Sequence, residues 1–151
     1  MKKLIAFISF ALALALLASC ASSGSFFQVR DPRSRMKRVF DYVLENEALL
    51  IDCIREKTLS RLENSGIIED ICEHETCIEF SCGASGFGSN TSYWGFYYVL
   101  SENAETAVRA FFDYAELTES GSGLEMREES GDDYFYTENI TGRFYYYFKR
   151  Y

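Results

Sequence analysis

The chain has 151 residues, with 15 Lys and Arg against 23 Asp and Glu and a formal net charge of −8. Nucleic acid is therefore not an expected partner, because an acidic surface repels a polyanion. Hydrophobic residues make up 48% of the chain and aromatic residues 17%, which is enough apolar surface for the core of one domain.

The first twenty residues have the organisation of a bacterial export signal. Met1-Lys2-Lys3 is a short basic segment, and an almost unbroken apolar run from Leu4 to Ala18 follows it. Leu17-Ala18-Ser19-Cys20 closes this run and resembles the lipobox of bacterial lipoproteins. The resemblance implies cleavage before Cys20 and acylation of the cysteine with fatty acids such as palmitate. We therefore expect a signal peptide over residues 1–19 and a lipid anchor at Cys20.

This resemblance also implies a location and a first partner. A chain acylated at Cys20 is held in the bilayer of the bacterial cell envelope. Ala21 follows the cysteine in place of the Asp that retains many lipoproteins in the inner membrane, so an outer membrane is the preferred location where one exists. No later segment approaches the roughly 20 consecutive apolar residues of a spanning helix, so we expect the remaining chain to be soluble.

Residues 20–30 are expected to form a tether and residues 31–151 a single domain. Phe26-Phe27 in the tether can either enter the lipid interface or dock on the domain. A basic cluster follows, and an anionic lipid surface contributes up to about 1 kcal/mol for each such residue. The alternative is a solvated basic face at the start of a helix. The cluster consists of Arg30, Arg33, Arg35, Lys37 and Arg38.

Asp31-Pro32 has the residue types of a helix start, an N-cap followed by proline at the first helical position. Apolar residues then recur at helical spacing, which predicts one long helix or two consecutive helices. Asn64-Ser65-Gly66 is expected to end the helical region. The apolar positions are Met36, Val39, Phe40, Val43, Leu44, Leu50, Cys53, Ile54 and Leu62.

Beyond Gly66 the pattern changes to short aromatic and β-branched runs, which predict strands. Side chains alternate between two faces in these runs. The predicted strands are 67–71, 76–83, 93–100, 124–128, 134–139 and 143–150, with a loop over 83–92 and a meander at the C-terminus. One face is assigned to Ile78, Phe80 and Cys82, to Trp94, Phe96 and Tyr98, and to Phe144, Tyr146 and Phe148.

Residues 101–118 match the spacing of an amphipathic helix capped by Ser101, although Phe112 and Tyr114 also suit an extended segment. The predicted fold class is therefore α+β, with the N-terminal helix or helices packed on one face of an antiparallel sheet or meander. Gly95-Phe96-Tyr97-Tyr98 together with the Tyr136 to Tyr147 segment is similar to small bacterial proteins of unknown function, which implies no activity.

No constellation of residues meets the usual needs of catalysis or of a cofactor. His74 is the single histidine, and no Gly-Lys-Ser/Thr follows the glycines at 83, 86 and 88. Cys72, His74, Cys77 and Cys82 are four possible zinc ligands, but their spacing matches no common zinc module, so no metal is expected. With Cys20 acylated, an even four cysteines remain, which suits two disulfides in an oxidising compartment.

Strand alternation favours one pairing of these cysteines. Cys82 shares the core face and Cys53 lies on the apolar helix stripe, so a Cys53–Cys82 bridge is expected where helix packs on sheet. Cys77 points to the other face, which leaves it to pair with Cys72 across a tight connection. The predicted disulfides are therefore Cys53–Cys82 and Cys72–Cys77.

Some of the many aromatic residues are candidates for ligand contacts. Trp94, Tyr145 and Tyr147 are the possible ligand-binding side chains, because an exposed ring buries area at low entropy cost. The alternative is that both faces of the sheet are covered. We expect a non-enzymatic envelope protein with an interaction or structural role, whose partners are envelope proteins or glycans. A module that binds carbohydrate or another small ligand is the alternative, and an envelope enzyme ranks last.

Overall fold

The computed structural model describes residues 32–63, 65–88, 90–112, 116–128, 131 and 133–151. The predicted signal peptide, the tether, Cys20 and Arg30 lie outside these residues. Pro32–Tyr151 forms one compact unit. Its elements are α1 (Pro32–Arg55), a 3₁₀ helix (Leu59–Leu62), β1 (Asp70–Glu73), β2 (Cys77–Phe87), β3 (Asn90–Val99), α2 (Ala104–Phe112), β4 (Thr118–Ser120), β5 (Gly123–Arg127), β6 (Tyr134–Thr141) and β7 (Phe144–Arg150).

The fold is α+β, as predicted, and its centre is a seven-stranded antiparallel sheet in the order β1-β2-β3-β7-β6-β5-β4. The first three strands form one meander and the last four form a second. β7 lies between β3 and β6, so pairing between β3 and β7 joins the two meanders into one sheet.

Helix α1 is a single helix of 24 residues that packs on one face of the sheet. Its buried positions follow the predicted stripe because residues three, four and seven apart share a helix face. They are Val39, Val43, Leu50 and Cys53. Leu44 was expected on the stripe but is 54% exposed, since it lies one position beyond Val43 and faces solvent.

Helix α2 confirms the helix predicted within residues 101–118, with shorter bounds, and lies against the opposite face of the sheet. The N-terminal helix α1 therefore covers one face of the sheet, as predicted, and α2 covers the other. The side chain of Asn103 caps α2, because its Oδ1 accepts a hydrogen bond from the Thr106 amide at 3.1 Å. Ser101, the predicted cap, instead accepts one from the Asn103 amide.

The predicted loop over residues 83–92 is mostly strand, since β2 and β3 pair as far as Phe87 and Asn90. Gly83 and Gly86 have φ values of 149° and 120°, which favour glycine, and a shift of register accompanies Gly83. These glycines interrupt the alternation of side chains from which strands are recognised.

The other strands agree with prediction in kind and differ in their ends. β1 begins at Asp70, three residues after the predicted start, and the three-residue β4 is too short to show a pattern. The face assignments are confirmed for β2, β3 and β7, whose two sets of alternating residues fall in separate cores. Within the described residues, neither helix combines the length and apolarity that crossing a membrane requires.

Candidate functional site

The three aromatic residues predicted to contact a ligand do not share one surface. Trp94 packs with the α1 core, whereas Tyr145 and Tyr147 belong to the α2 core on the other side of the sheet. Tyr147 is only 1% exposed, and the guanidinium of Arg35 covers the Trp94 ring at 4.4 Å. Strand alternation places Trp94 on one face of the sheet and Tyr145 and Tyr147 on the other, so the three side chains do not form one ligand surface.

The predicted basic cluster is spread around α1, and three of its side chains bind groups within the domain. Arg35 stacks on Trp94, Arg38 donates a hydrogen bond to the Gly66 carbonyl at 3.2 Å, and Lys37 pairs with Asp41. Arg33 is exposed at the first turn and lines a cleft.

This cleft is the candidate ligand site, and we call it the aromatic cleft. It has a volume of about 300 Å³ and lies between the first turns of α1 and the strands β6 and β7. Alternate residues of an antiparallel strand share a face, which is why four rings converge here. The lining residues are Pro32, Arg33, Met36, Tyr134, Tyr136, Tyr146, Phe148 and Arg150.

Hydroxyl groups and arginines set the polarity of the aromatic cleft. Tyr136 donates a hydrogen bond to Glu138 Oε2 at 2.7 Å, and burial together with this carboxylate raises the pKa of Tyr136 to about 12. Tyr134 donates to Glu125 Oε2 at 3.2 Å, and the guanidinium of Arg127 lies 4.8 Å from its ring centroid. The phenols therefore stay neutral, and the cleft offers ring faces between cationic groups to a planar or anionic ligand.

A second polar group of residues lies on the α2 face. Lys149 Nζ is 3.6 Å from Glu79 Oε1 and 3.9 Å from the Phe111 ring centroid, and its side chain is 15% exposed. His74 Nε2 is 3.1 Å from the other oxygen of Glu79. Burial lowers the pKa of Lys149, while the Glu79 carboxylate acts in the opposite direction. Glu79 thus holds two basic groups beside a cleft of about 410 Å³.

Gly95 leaves room for the Tyr147 side chain on the crowded α2 face of the sheet. A Cβ at Gly95 would lie 3.0 Å from both Cε1 and the hydroxyl oxygen of Tyr147, so the Tyr147 side chain crosses strand β3 over the glycine. Burial raises the pKa of Tyr147, and the nearby Glu79 carboxylate raises it further. The Tyr147 hydroxyl is therefore neutral, and it lies beside the charged side chains of Glu79 and Lys149.

The four cysteines outside the signal region are free thiols, so neither predicted bridge, Cys53–Cys82 or Cys72–Cys77, is present in the structure. The predicted bridges rest on assigning Cys53 and Cys82 to one face of the sheet and Cys77 to the other, and these assignments are confirmed. Cys53 and Cys82 belong to the α1 core, and Cys72 pairs with Glu79, two residues from Cys77 on the same face. The Cys82 thiol is directed to the Phe80 carbonyl at 3.7 Å. Burial raises the pKa of Cys77 to about 11 and that of Cys82 to about 12.

Sequence reasoning named Arg33 and Tyr147 as candidate residues but missed the other residues that form the aromatic cleft and the charged group around Glu79. Tyr134 and Tyr136 were placed in a strand, but nothing in the sequence brings them beside Arg33. Among the described residues, no group of three or more His, Cys, Asp or Glu side chains is arranged to hold a metal ion.

Comparisons with known proteins identify no relative of this chain. No protein-family model matches the chain, no curated protein matches it, and no solved structure matches its fold.

Proposed function

We propose that this chain is a lipid-anchored protein of the bacterial cell envelope with a non-enzymatic binding role. The observation that carries the proposal is Leu17-Ala18-Ser19-Cys20 at the end of a basic and apolar leader. The buried thiols of the domain are unsuited to nucleophilic catalysis. Raised pKa values keep the buried thiols Cys77 and Cys82 protonated, and a thiol is a poor nucleophile in that form.

Acylation of Cys20 is tested by feeding a labelled fatty acid to a bacterial host that expresses the full chain. Cys20→Ala is expected to abolish incorporation of the label and to leave an uncleaved precursor. Cys72→Ala is the matched control, since it removes an exposed thiol of the folded domain and is expected to leave the label unchanged. Undiminished labelling of Cys20→Ala would overturn the proposal.

Binding of a small ligand at the aromatic cleft is a second candidate function. Four aromatic rings and two arginines around about 300 Å³ favour it. Ring faces suit a sugar or an aryl group, and the arginines suit a carboxylate or sulfonate on that ligand.

Two probes test the aromatic cleft and distinguish these ligand classes. Anilinonaphthalene sulfonate reports binding of an aromatic anion by its fluorescence, and calorimetry with oligomers of N-acetylglucosamine reports binding of a sugar. Tyr134→Ala and Arg33→Gln are expected to weaken whichever probe binds. Arg109→Gln on α2 is the control, because it lies on the opposite face. Equal binding by all three variants would rule out the aromatic cleft.

A further inference from the structure

The hairpin formed by β2 and β3 ends in an exposed phenyl ring. Phe87 is 94% exposed, more than any other large hydrophobic residue among those the structure describes, and the next is Leu44 at 54%. An isolated apolar residue at the surface needs no explanation, but a ring this exposed at the end of a hairpin is available for contact with an apolar partner.

The hairpin extends beyond the ends of its two neighbouring strands, β1 and β7. The last residue of β7, Arg150, pairs with Ser92, and the Tyr151 amide donates to the Thr91 carbonyl at 3.1 Å. The Phe87–Asn90 pair lies one further step out, beyond the last pairs that β1 and β7 make among the described residues. Thr91 Oγ1 donates a hydrogen bond to the Gly88 carbonyl at 2.8 Å and holds the turn closed. Phe87 therefore lies exposed at the outer end of this hairpin.

Basic side chains share the face to which Phe87 belongs. β2 and β3 pair Phe87 with Asn90 and Gly83 with Trp94, so strand alternation places Phe87 on the Trp94 face. Arg35 covers Trp94 on this face, and Arg150 lies in the row directly inward of the tip. Arg33 and Arg127 belong to the same face, beside the aromatic cleft.

Acidic residues lie at both ends of the sheet. Glu73, Glu75 and Glu102 are exposed at the opposite end of the sheet, where β1 joins β2 and β3 leads into α2. Glu128 and Asp133 lie at the same end as the tip, but in the connection from β5 to β6. β6 is three strands from β2, so this connection lies roughly 14 Å from the Phe87 strand at the usual spacing. Tyr134, the residue after Asp133, pairs with Arg150, so the acidic connection borders Arg150 and its charge opposes contact with an anionic surface there.

The chain enters the folded unit at this same end. α1 begins at Pro32, which lines the aromatic cleft together with Arg150. A segment of about a dozen residues separates Pro32 from Cys20, and it spans at most roughly 40 Å when extended. An acylated Cys20 would therefore keep this end of the sheet within reach of the bilayer.

We infer that the Phe87 hairpin tip is a second membrane contact, which docks the domain on an anionic bilayer. This inference rests on the proposed lipid anchor. Phe87 enters the lipid interface, and Arg33 and Arg150 lie against the anionic headgroups. The acylated Cys20 holds the chain at the bilayer without fixing the orientation of the domain, and one apolar ring alone gives only marginal binding, whereas anchor and tip together fix that orientation.

Vesicle flotation tests the tip without the anchor. A protein that begins at Ala21 lacks the acylation site and retains the whole compact unit from Pro32 to Tyr151. Its partition into phosphatidylglycerol-containing vesicles is expected to fall roughly tenfold in Phe87→Ser and roughly fivefold in Arg150→Gln. Leu100→Ser, which alters an exposed residue at the opposite end, is the matched control and should bind unchanged.

Three further measurements test whether the Phe87 hairpin contacts the bilayer. Emission of Phe87→Trp should shift to the blue with anionic vesicles, above the constant contribution of Trp94. Added salt should weaken the partition, and Glu128→Gln should strengthen it. The inference is overturned if Phe87→Ser binds as the unchanged protein does, or if neutral and anionic vesicles bind equally. Because these experiments do not involve Cys20, a full-length chain that incorporates no fatty acid in cells, or a Cys20→Ala chain that is labelled undiminished, would overturn the lipid anchor and leave the hairpin result standing.

Discussion

The indole of Trp94 lies directly on Gly83, so that a Cβ added to Gly83 would come within 2.4 Å of Trp94 Cζ2. Gly83→Ala is expected to lower the free energy of unfolding by about 2 kcal/mol or more, because it combines overpacking with an unfavourable φ of 149°. Chemical denaturation followed by circular dichroism measures the change.

Gly66→Ala separates the two causes of this loss. Gly66 also has a positive φ, of 73°, but no atom lies within 4 Å of an added Cβ, so we expect a loss of only about 1 kcal/mol. The effects of Gly83→Ala and Trp94→Leu should be less than additive when combined. Equal losses in Gly83→Ala and Gly66→Ala would argue against the Trp94 contact.

A buried pair of hydroxyl groups joins β3 to β6. Thr137 Oγ1 donates to the Tyr146 carbonyl at 2.8 Å, so the Tyr97 hydroxyl is the donor in its 2.7 Å contact with Thr137. Thr137→Val is therefore expected to cost about 1–3 kcal/mol, because it leaves the Tyr97 hydroxyl buried without its acceptor, and Tyr97→Phe should cost about 1 kcal/mol. A double-mutant cycle by denaturant unfolding would detect the coupling, and strict additivity would contradict it.

The sheet could be predicted from sequence where side chains alternate without interruption. Ile78, Phe80 and Cys82 fall on one face and Tyr97 on the other because a strand has a period of two. The β2–β3 hairpin was predicted as a loop, since Gly83 and Gly86 carry no side chain to mark a face. Ser101 and Asn103 are both good capping residues, and only the position of the helix backbone selects Asn103.

The sites were predicted less well than the fold. The chemistry of Tyr147 suits ligand contact, but its burial depends on α2 lying on the second face of the sheet. The pairing of Lys149 with Glu79 crosses β3 and joins distant parts of the chain, so no local pattern indicates it. Sequence periods report which face a residue is on, and they do not report which element covers that face.

The reactivity of the thiols follows from burial. Cys72 is exposed, whereas Cys53, Cys77 and Cys82 are buried, so a thiol reagent at neutral pH should label Cys72 first and the other three only on unfolding. Cys72→Ser should remove the fast phase. If protein exported to an oxidising compartment lacks this phase, and its peptide map joins Cys72 to Cys77, the free thiols are contradicted and the sequence-predicted bridge is supported.

The charges of Lys149 and Glu79 depend on each other. Their side chains are 15% and 19% exposed, so removing one charge leaves the other poorly solvated. Glu79→Gln is expected to cost about 1–3 kcal/mol of stability, because it leaves the partly buried Lys149 amine without its carboxylate partner. Lys149→Met should cost less, and Lys37→Met, in an exposed pair with Asp41, less than about 1 kcal/mol. Urea titration at pH 7 compares the three, and a larger loss in Lys149→Met than in Glu79→Gln would contradict this account.

Stability should fall at alkaline pH, because buried thiols and phenols must stay protonated in the fold. Burial raises the pKa of Cys77 to about 11 and of Cys82 to about 12, from 9.0, and it also raises the pKa values of Tyr97, Tyr146 and Tyr147 above 10.0. Above pH 9 the unfolded chain therefore binds fewer protons than the folded one, and stability decreases as pH rises. The lowered pKa of Lys149 makes stability rise with pH, but this one group is outweighed by the five thiols and phenols whose pKa values are raised. Thermal unfolding at pH 7, 9 and 10.5 should show a falling Tm, and Tyr146→Phe should reduce the fall. A Tm that stays constant over this range would contradict the prediction.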